Sequence, residues 1–160
     1  MTLTEIKERF ENYFQENDWK VRIEEQDDKV IINSGVTVKG KCKRCDVRYI
    51  LSEEDITSVA YMPFGVDEDD ENTLMELMKL VTRLNNSMIK FSRIELDLDE
   101  GTIRIAYDID IEGQESISDS VLDYFVVGPS CVLDDFGNEL LDVALGYATA
   151  DEAWNAISDR

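Results

Sequence analysis

Residues 94–111 read Ile-Glu-Leu-Asp-Leu-Asp-Glu-Gly-Thr-Ile-Arg-Ile-Ala-Tyr-Asp-Ile-Asp-Ile, with apolar side chains at every second position on both sides of Asp99-Glu100-Gly101. Successive side chains of a strand point to opposite faces, so this period-two alternation predicts an antiparallel hairpin with one buried face. Ile94, Leu96, Leu98, Ile103, Ile105, Tyr107, Ile109 and Ile111 form that face. The outward set, Glu95, Asp97, Arg104, Asp108, Asp110 and Glu112, is predominantly acidic.

Working back from this hairpin, Leu74, Leu77, Met78, Val81, Leu84 and Met88 recur at helical spacing. The five acids Asp67 to Glu71 precede them, where negative charge complements the positive end of a helix dipole. Earlier still the period is again two. Val21 and Ile23, a turn at Gln26-Asp27-Asp28, Val30 to Ile32, a second turn at Asn33-Ser34-Gly35, Val36 with Val38, then Val47, Tyr49 and Leu51, and finally Val59 with Tyr61 before Pro63 and Gly65, predict four or five meandering strands. Thr2 and Glu5 have capping-box spacing and open a helix over about 4–17, with Ile6, Phe10, Tyr13 and Phe14 as its apolar stripe.

Beyond the hairpin, Ile117, Val121, Leu122, Phe125, Val132, Leu133, Phe136, Leu140 and Ala144 keep helical spacing to near Gly146. Gly128-Pro129 interrupts them, and a proline there predicts a kink or short break. Cys131 falls in a helix whose stripe predicts burial. Thr149 and Glu152 repeat the capping-box spacing and open a terminal turn with Trp154 and Ile157. The reading is α+β, an antiparallel sheet flanked by helices in the order α-β(4-5)-α-β-β-α, as a single domain over 1–160.

The net charge is −20. Residues 1–50 carry ten basic and ten acidic side chains, and residues 51–160 carry six against twenty-six, so the whole surplus lies in the later part. Such a surface repels nucleic acid and anionic membranes and favours basic partners, or simply keeps a small domain soluble. No apolar run is long enough to span a bilayer, and Met1-Thr2-Leu3-Thr4-Glu5 has no signal-peptide character. With three cysteines and no basis for pairing all of them, a reducing, cytoplasmic setting is expected.

Histidine is absent, which removes the usual general base, the Ser-His and Cys-His nucleophile pairs and the commonest metal ligand. The eight glycines form neither a Walker loop nor a dinucleotide turn. A non-enzyme without cofactor is the expectation. Cys42-Lys43-Arg44-Cys45 is the one motif with chemical scope: a turn in a hairpin between Val38 and Val47, a metal site, or a redox dithiol whose pKa Lys43 and Arg44 would lower. A tetrahedral site needs four ligands, which two such loops could supply across a dimer. Asp67 to Glu71 lacks the glycine of a calcium loop and has Met78 where its bidentate glutamate belongs. Lys39, Lys41, Lys43, Arg44 and Arg48 form the single basic cluster, read either as guards of a strand edge or as a docking site for an acidic partner or the acidic half of a second copy.

Thr82-Arg83-Leu84-Asn85, leading into Phe91-Ser92-Arg93-Ile94-Glu95-Leu96-Asp97 and then Gly101-Thr102-Ile103-Arg104-Ile105, resembles the helix-end asparagine, "felD" strand and "g-v-fr" return strand of the YbjN domain family. Pro63 after an apolar strand also fits. The resemblance implies the fold of type III secretion chaperones, a role in sensory-transduction regulation or client binding, a dimer, and no catalytic residue to carry over. The segment from Lys39 to Arg48 lies outside it. Three functions follow: a homodimeric protein-binding module, a zinc- or thiol-responsive regulator using Cys42 and Cys45, or an acidic imitator of nucleic acid.

Overall fold

The computed structural model describes residues 1–67 and 69–160. Its elements are α1 (Leu3–Glu16), β1 (Val21–Glu25), β2 (Val30–Thr37), β3 (Arg44–Leu51), β4 (Asp55–Gly65), α2 (Glu71–Ser87), β5 (Arg93–Leu96), β6 (Thr102–Asp110), α3 (Asp119–Ala144) and α4 (Ala150–Ser158). The strands form one antiparallel sheet in the order β1-β2-β3-β4-β6-β5. The α+β reading holds, with the terminal turn grown into a fourth helix. Thr2 and Thr149 both close the capping boxes read from the sequence.

One core joins the inward side chains of the sheet, including Ile32, Tyr49, Ile56 and Ile105, to the buried stripes of all four helices. Its centre is aromatic: Phe10 and Phe14 of α1, Tyr49 of β3 and Phe125 of α3 lie 5.2–6.2 Å apart, centroid to centroid, along the chain of contacts that links them. Among the described residues, all four helices pack in this core and none covers the opposite face of the sheet.

Several boundaries differ from the sequence reading. Asn33-Ser34-Gly35 is not a turn but the middle of β2, because Ser34 pairs with Val47 and Gly35 with Asp46. Ladder pairing to β3 overrides the turn chemistry of these residues. The alternation at Leu98 also fails. β5 stops at Leu96 because Asp97 Oδ1 accepts the N–H groups of Asp99 and Glu100 and starts the turn, leaving Leu98 exposed. β4 runs through Pro63, which sits in a register irregularity between Tyr61 and Gly65 where no ladder N–H is required.

On α2, Leu80 is buried while Met78 and Met88 are exposed. Asp70 is its N-cap, accepting from the Thr73 N–H at 3.0 Å, so the acid run does open the helix. Glu68 of that run lies outside the described residues.

Of the kink or short break expected at Gly128-Pro129, the break does not occur: α3 passes through it as one helix of 26 residues. Proline in a helix interior costs about 3 kcal/mol, whereas each fully buried large apolar side chain contributes about 1.5–3 kcal/mol. Phe125, Val126, Pro129 and Leu133 are all buried around the interruption, so packing outweighs the missing bond. Two hydroxyls also serve neighbouring carbonyls: Tyr49 Oη donates to Val126 O at 3.2 Å and Ser130 Oγ to Val127 O at 2.8 Å. Cys131, expected to be buried, faces outward.

Candidate binding site

Cys42 lies in the loop between β2 and β3 and Cys45 at the start of β3, and the chain turns between them at Lys43, whose φ is 61°. Cys45 is 1% exposed and Cys42 is buried against α3, its sulfur 3.7 Å from Gly137 O. Gly137 permits this approach, since a Cβ there would lie 3.1 Å from Cys42 Sγ. Burial pushes the Cys45 thiol up to about 11, and the carboxylates of Asp46 and Asp134 add to it. Burial raises Cys42 as well. The expectation that Lys43 and Arg44 would stabilise thiolates is therefore corrected: Arg44 makes the smallest contribution at Cys45, and desolvation wins. Among the described residues, no group of three or more Cys, Asp and Glu side chains is placed to hold a metal ion.

The lysines of this loop do not guard a strand edge, because β3 is an interior strand. Lys39, through its backbone, and Lys41, through backbone and side chain, fasten the loop to α3. Asp134 Oδ1 accepts the Lys39 N–H at 2.5 Å, Asn138 Oδ1 accepts the Lys41 N–H at 2.7 Å, and Lys41 Nζ donates to both Asp142 oxygens at 2.5 and 2.6 Å. α3 carries six acids and no base, and these acids are largely engaged within the chain. Asp119 pairs with Arg9, Asp123 accepts from Tyr13 Oη at 2.8 Å, and Glu139 pairs with Arg160. Much of the acidic surplus on this helix is thus structural.

The free face of the sheet is different in charge. Cross-strand register places Arg48, Val59, Ala106 and Arg93 in one row, and Gly35, Asp46, Tyr61, Arg104 and Glu95 in the next. With Arg22 and Arg44, five of the eight arginines of a strongly acidic chain share this face. Val59 and Ala106 are buried here, outside the main core, in the row that the two arginines flank.

The arginines divide into two groups. Arg93 and Arg104 are neutralised locally, Arg93 by Glu95 and Asp108 and Arg104 by Glu95. Toward β1 the cations are less occupied. Arg22 pairs with Glu24 at 3.2 Å, Arg48 donates to the neutral Asn33 Oδ1 and lies 5.9 Å from the Tyr61 ring, and Arg44 lies across Gly35, where a Cβ would come within 2.1 Å of its guanidinium. Among the described residues Lys20, Arg44 and Arg48 make no ion pair. Together with Arg22, Asp46 and Tyr61 they line a depression of about 450 Å³.

This depression meets a notch in the sheet. β1 pairs with β2 only as far as Ser34, whereas β2 continues against β3 through Gly35, Val36 and Thr37. The cause is local: Asp18 takes a left-handed φ of 56°, the Trp19 N–H donates to Phe14 O at 2.8 Å, and Ser34 Oγ donates to Lys20 O, so the chain is drawn toward α1 before it can extend β1. Trp19, Lys20 and the bare stretch of β2 line a second depression, of about 390 Å³. Arg44 and Arg48 belonged to the basic cluster of the sequence, but Lys20 and Arg22 are remote from it, and only the β1–β2 register brings them to the same place.

A third concavity, about 190 Å³, lies between α3 and the loop from Met88 to Ser92. Phe91 and Tyr124 stand 68% and 64% exposed beside it, with their ring centroids 6.4 Å apart. No protein-family model and no curated protein matches the sequence. No described helix is long and apolar enough to cross a membrane.

Proposed function

We propose that this domain is a non-enzymatic protein-binding module that receives an extended segment of its partner at the notch beside β1. The observation that carries the reading is the bare end of β2. In an antiparallel ladder, residues turn their N–H and C=O groups alternately to either side. Val38 N–H donates to Lys43 O at 3.0 Å, so Val36 faces β3, and Gly35 and Thr37 face the notch. These groups have the spacing of a strand and are completed most naturally by another polypeptide backbone. The other edge offers less: Asn85 of α2 clasps β5, accepting the Ile94 N–H and donating to Ile94 O, both at 2.9 Å.

In this reading the chain works as a cytoplasmic, chaperone-like or regulatory homodimer of YbjN type, without a cofactor. The Asn85 clasp supports the family resemblance, since it joins the helix-end asparagine and the strand that carry it. The buried, protonated sulfurs of Cys42 and Cys45 give the thiol-responsive alternative no comparable support. Selection of random linear peptides on the immobilised domain tests the proposal. Enrichment of peptides that bind the purified chain supports it, and a selection that never rises above a blank surface removes it.

A further inference from the structure

We infer that the segment received at this notch is acidic: an extended stretch of another protein that hydrogen-bonds to Gly35 and Thr37 and sets alternate carboxylates on Arg22, Arg44 and Arg48. The inference rests on the protein-binding reading and adds the chemistry of the partner. Arginine forks match carboxylates with two parallel hydrogen bonds, and Arg44 and Arg48 have no carboxylate partner of their own among the described residues. Lys20 stands at the mouth of the same depression. Side chains of an added strand repeat every second residue on one face, which is the spacing at which Arg44, Asp46 and Arg48 follow one another on β3.

The net charge of −20 does not forbid an anionic guest. The acids of α1 and α3 lie on the far side of the sheet, and at physiological salt the screening length is about 8 Å, so charges behind the sheet are largely hidden from its free face. The contacting charges decide instead, and around the notch these are the four cations Lys20, Arg22, Arg44 and Arg48 against Asp18, Asp46 and the already paired Glu24. A continuous phosphate backbone fits less well. Asp46, Glu95, Asp108 and Asp110 interleave with the arginines across the sheet and would oppose it, and a phosphodiester backbone, although its oxygens can accept from N–H groups, offers no donor to the bare C=O groups of β2. A second copy offering α3 fits poorly, because most acids of that helix are held by its own chain.

The test uses the full chain labelled with ¹⁵N and three probes: an alternating Glu-Val octapeptide, its Lys-Val counterpart and a single-stranded oligonucleotide of similar length. The acidic peptide is expected to bind, to move the amide signals of Gly35 and Thr37 and the side-chain Nε–H signals of Arg44 and Arg48, and to weaken as salt is raised. Arg44→Glu should cost about tenfold or more in affinity. Thr37→Pro removes one outward N–H without breaking the β3 ladder, a position where proline is tolerated, and should abolish binding while Thr37→Val retains it. Equal or tighter binding of the basic peptide, tighter binding of the oligonucleotide, or shifts confined to Phe91 and Tyr124 would overturn the inference. Self-association lost in Thr37→Pro would overturn it too, making a second copy the occupant. If library selection yields binders that are not acidic, only this inference falls; if it yields none, the protein-binding reading falls with it.

Discussion

Replacing Asn85 with alanine removes both halves of the clasp that closes the β5 edge. The amide makes two hydrogen bonds of 2.9 Å, one to the N–H and one to the C=O of Ile94, whose side chain is buried in the core. Each such bond contributes about 1 kcal/mol net, and a polar group left without a partner costs about 1–3 kcal/mol. Water reaches part of this site, so the expected loss is about 2–4 kcal/mol, or very roughly 4–16 °C in Tm for a chain of this size. Urea unfolding should show a lower midpoint with an unchanged slope, because the surface exposed on unfolding does not change. Hydrogen exchange at Ile94 should accelerate. Asn85→Asp keeps the acceptor but loses the donor and sets a carboxylate beside Ile94 O. Its deficit should therefore shrink on acidification, when the protonated acid can donate again. The reasoning is refuted if Asn85→Ala lies within about 0.5 kcal/mol of the parent, the range of ordinary surface changes.

Thiol titration with an aromatic disulfide should give one fast equivalent from Cys131 and two slow ones from Cys42 and Cys45, released only as the chain opens; three equal rates would contradict their burial. Because burial moves Cys45 from 9.0 to about 11, the native state holds its proton where the unfolded chain has lost it. Stability should then fall as pH rises from 9 to 11, by up to about 3 kcal/mol. Tyr13, raised to about 12 by burial and by its bond to Asp123, steepens the fall above pH 10. Cys45→Ala should flatten the first part of that slope in urea titrations, and an unaltered slope would reject the assignment. Tyr49→Phe leaves Val126 O without its side-chain donor and should cost about 1–2 kcal/mol by the same measurement, while Tyr147→Phe, 78% exposed, should be silent.

Local pattern was sufficient wherever a residue's fate depends on its near neighbours. Thr2 and Thr149 cap helices because Glu5 and Glu152 stand three residues later, and Ile103, Ile105 and Tyr107 turn inward because a strand alternates. Element order and the α+β class follow from such periods, whereas the clasp that Asn85 makes with Ile94 depends on how α2 packs beside β5. Local pattern failed where distant partners compete with it. Gly35 lies in a strand because β3 pairs with it, Pro129 stays in a helix because the surrounding core outweighs one lost bond, and Cys131 faces outward because the inward side of α3 is filled by Val132 and Leu133. The candidate site is the clearest case. Arg44 and Arg48 belong to a basic run, yet Lys41 of that run pairs with Asp142 on α3, and the arginines are joined instead by Arg22 of β1 and by Lys20 just before it. Periodicity tells which face of a strand a side chain occupies; strand order and register, set by the whole sheet, decide which charges stand together on that face and where an edge is left bare.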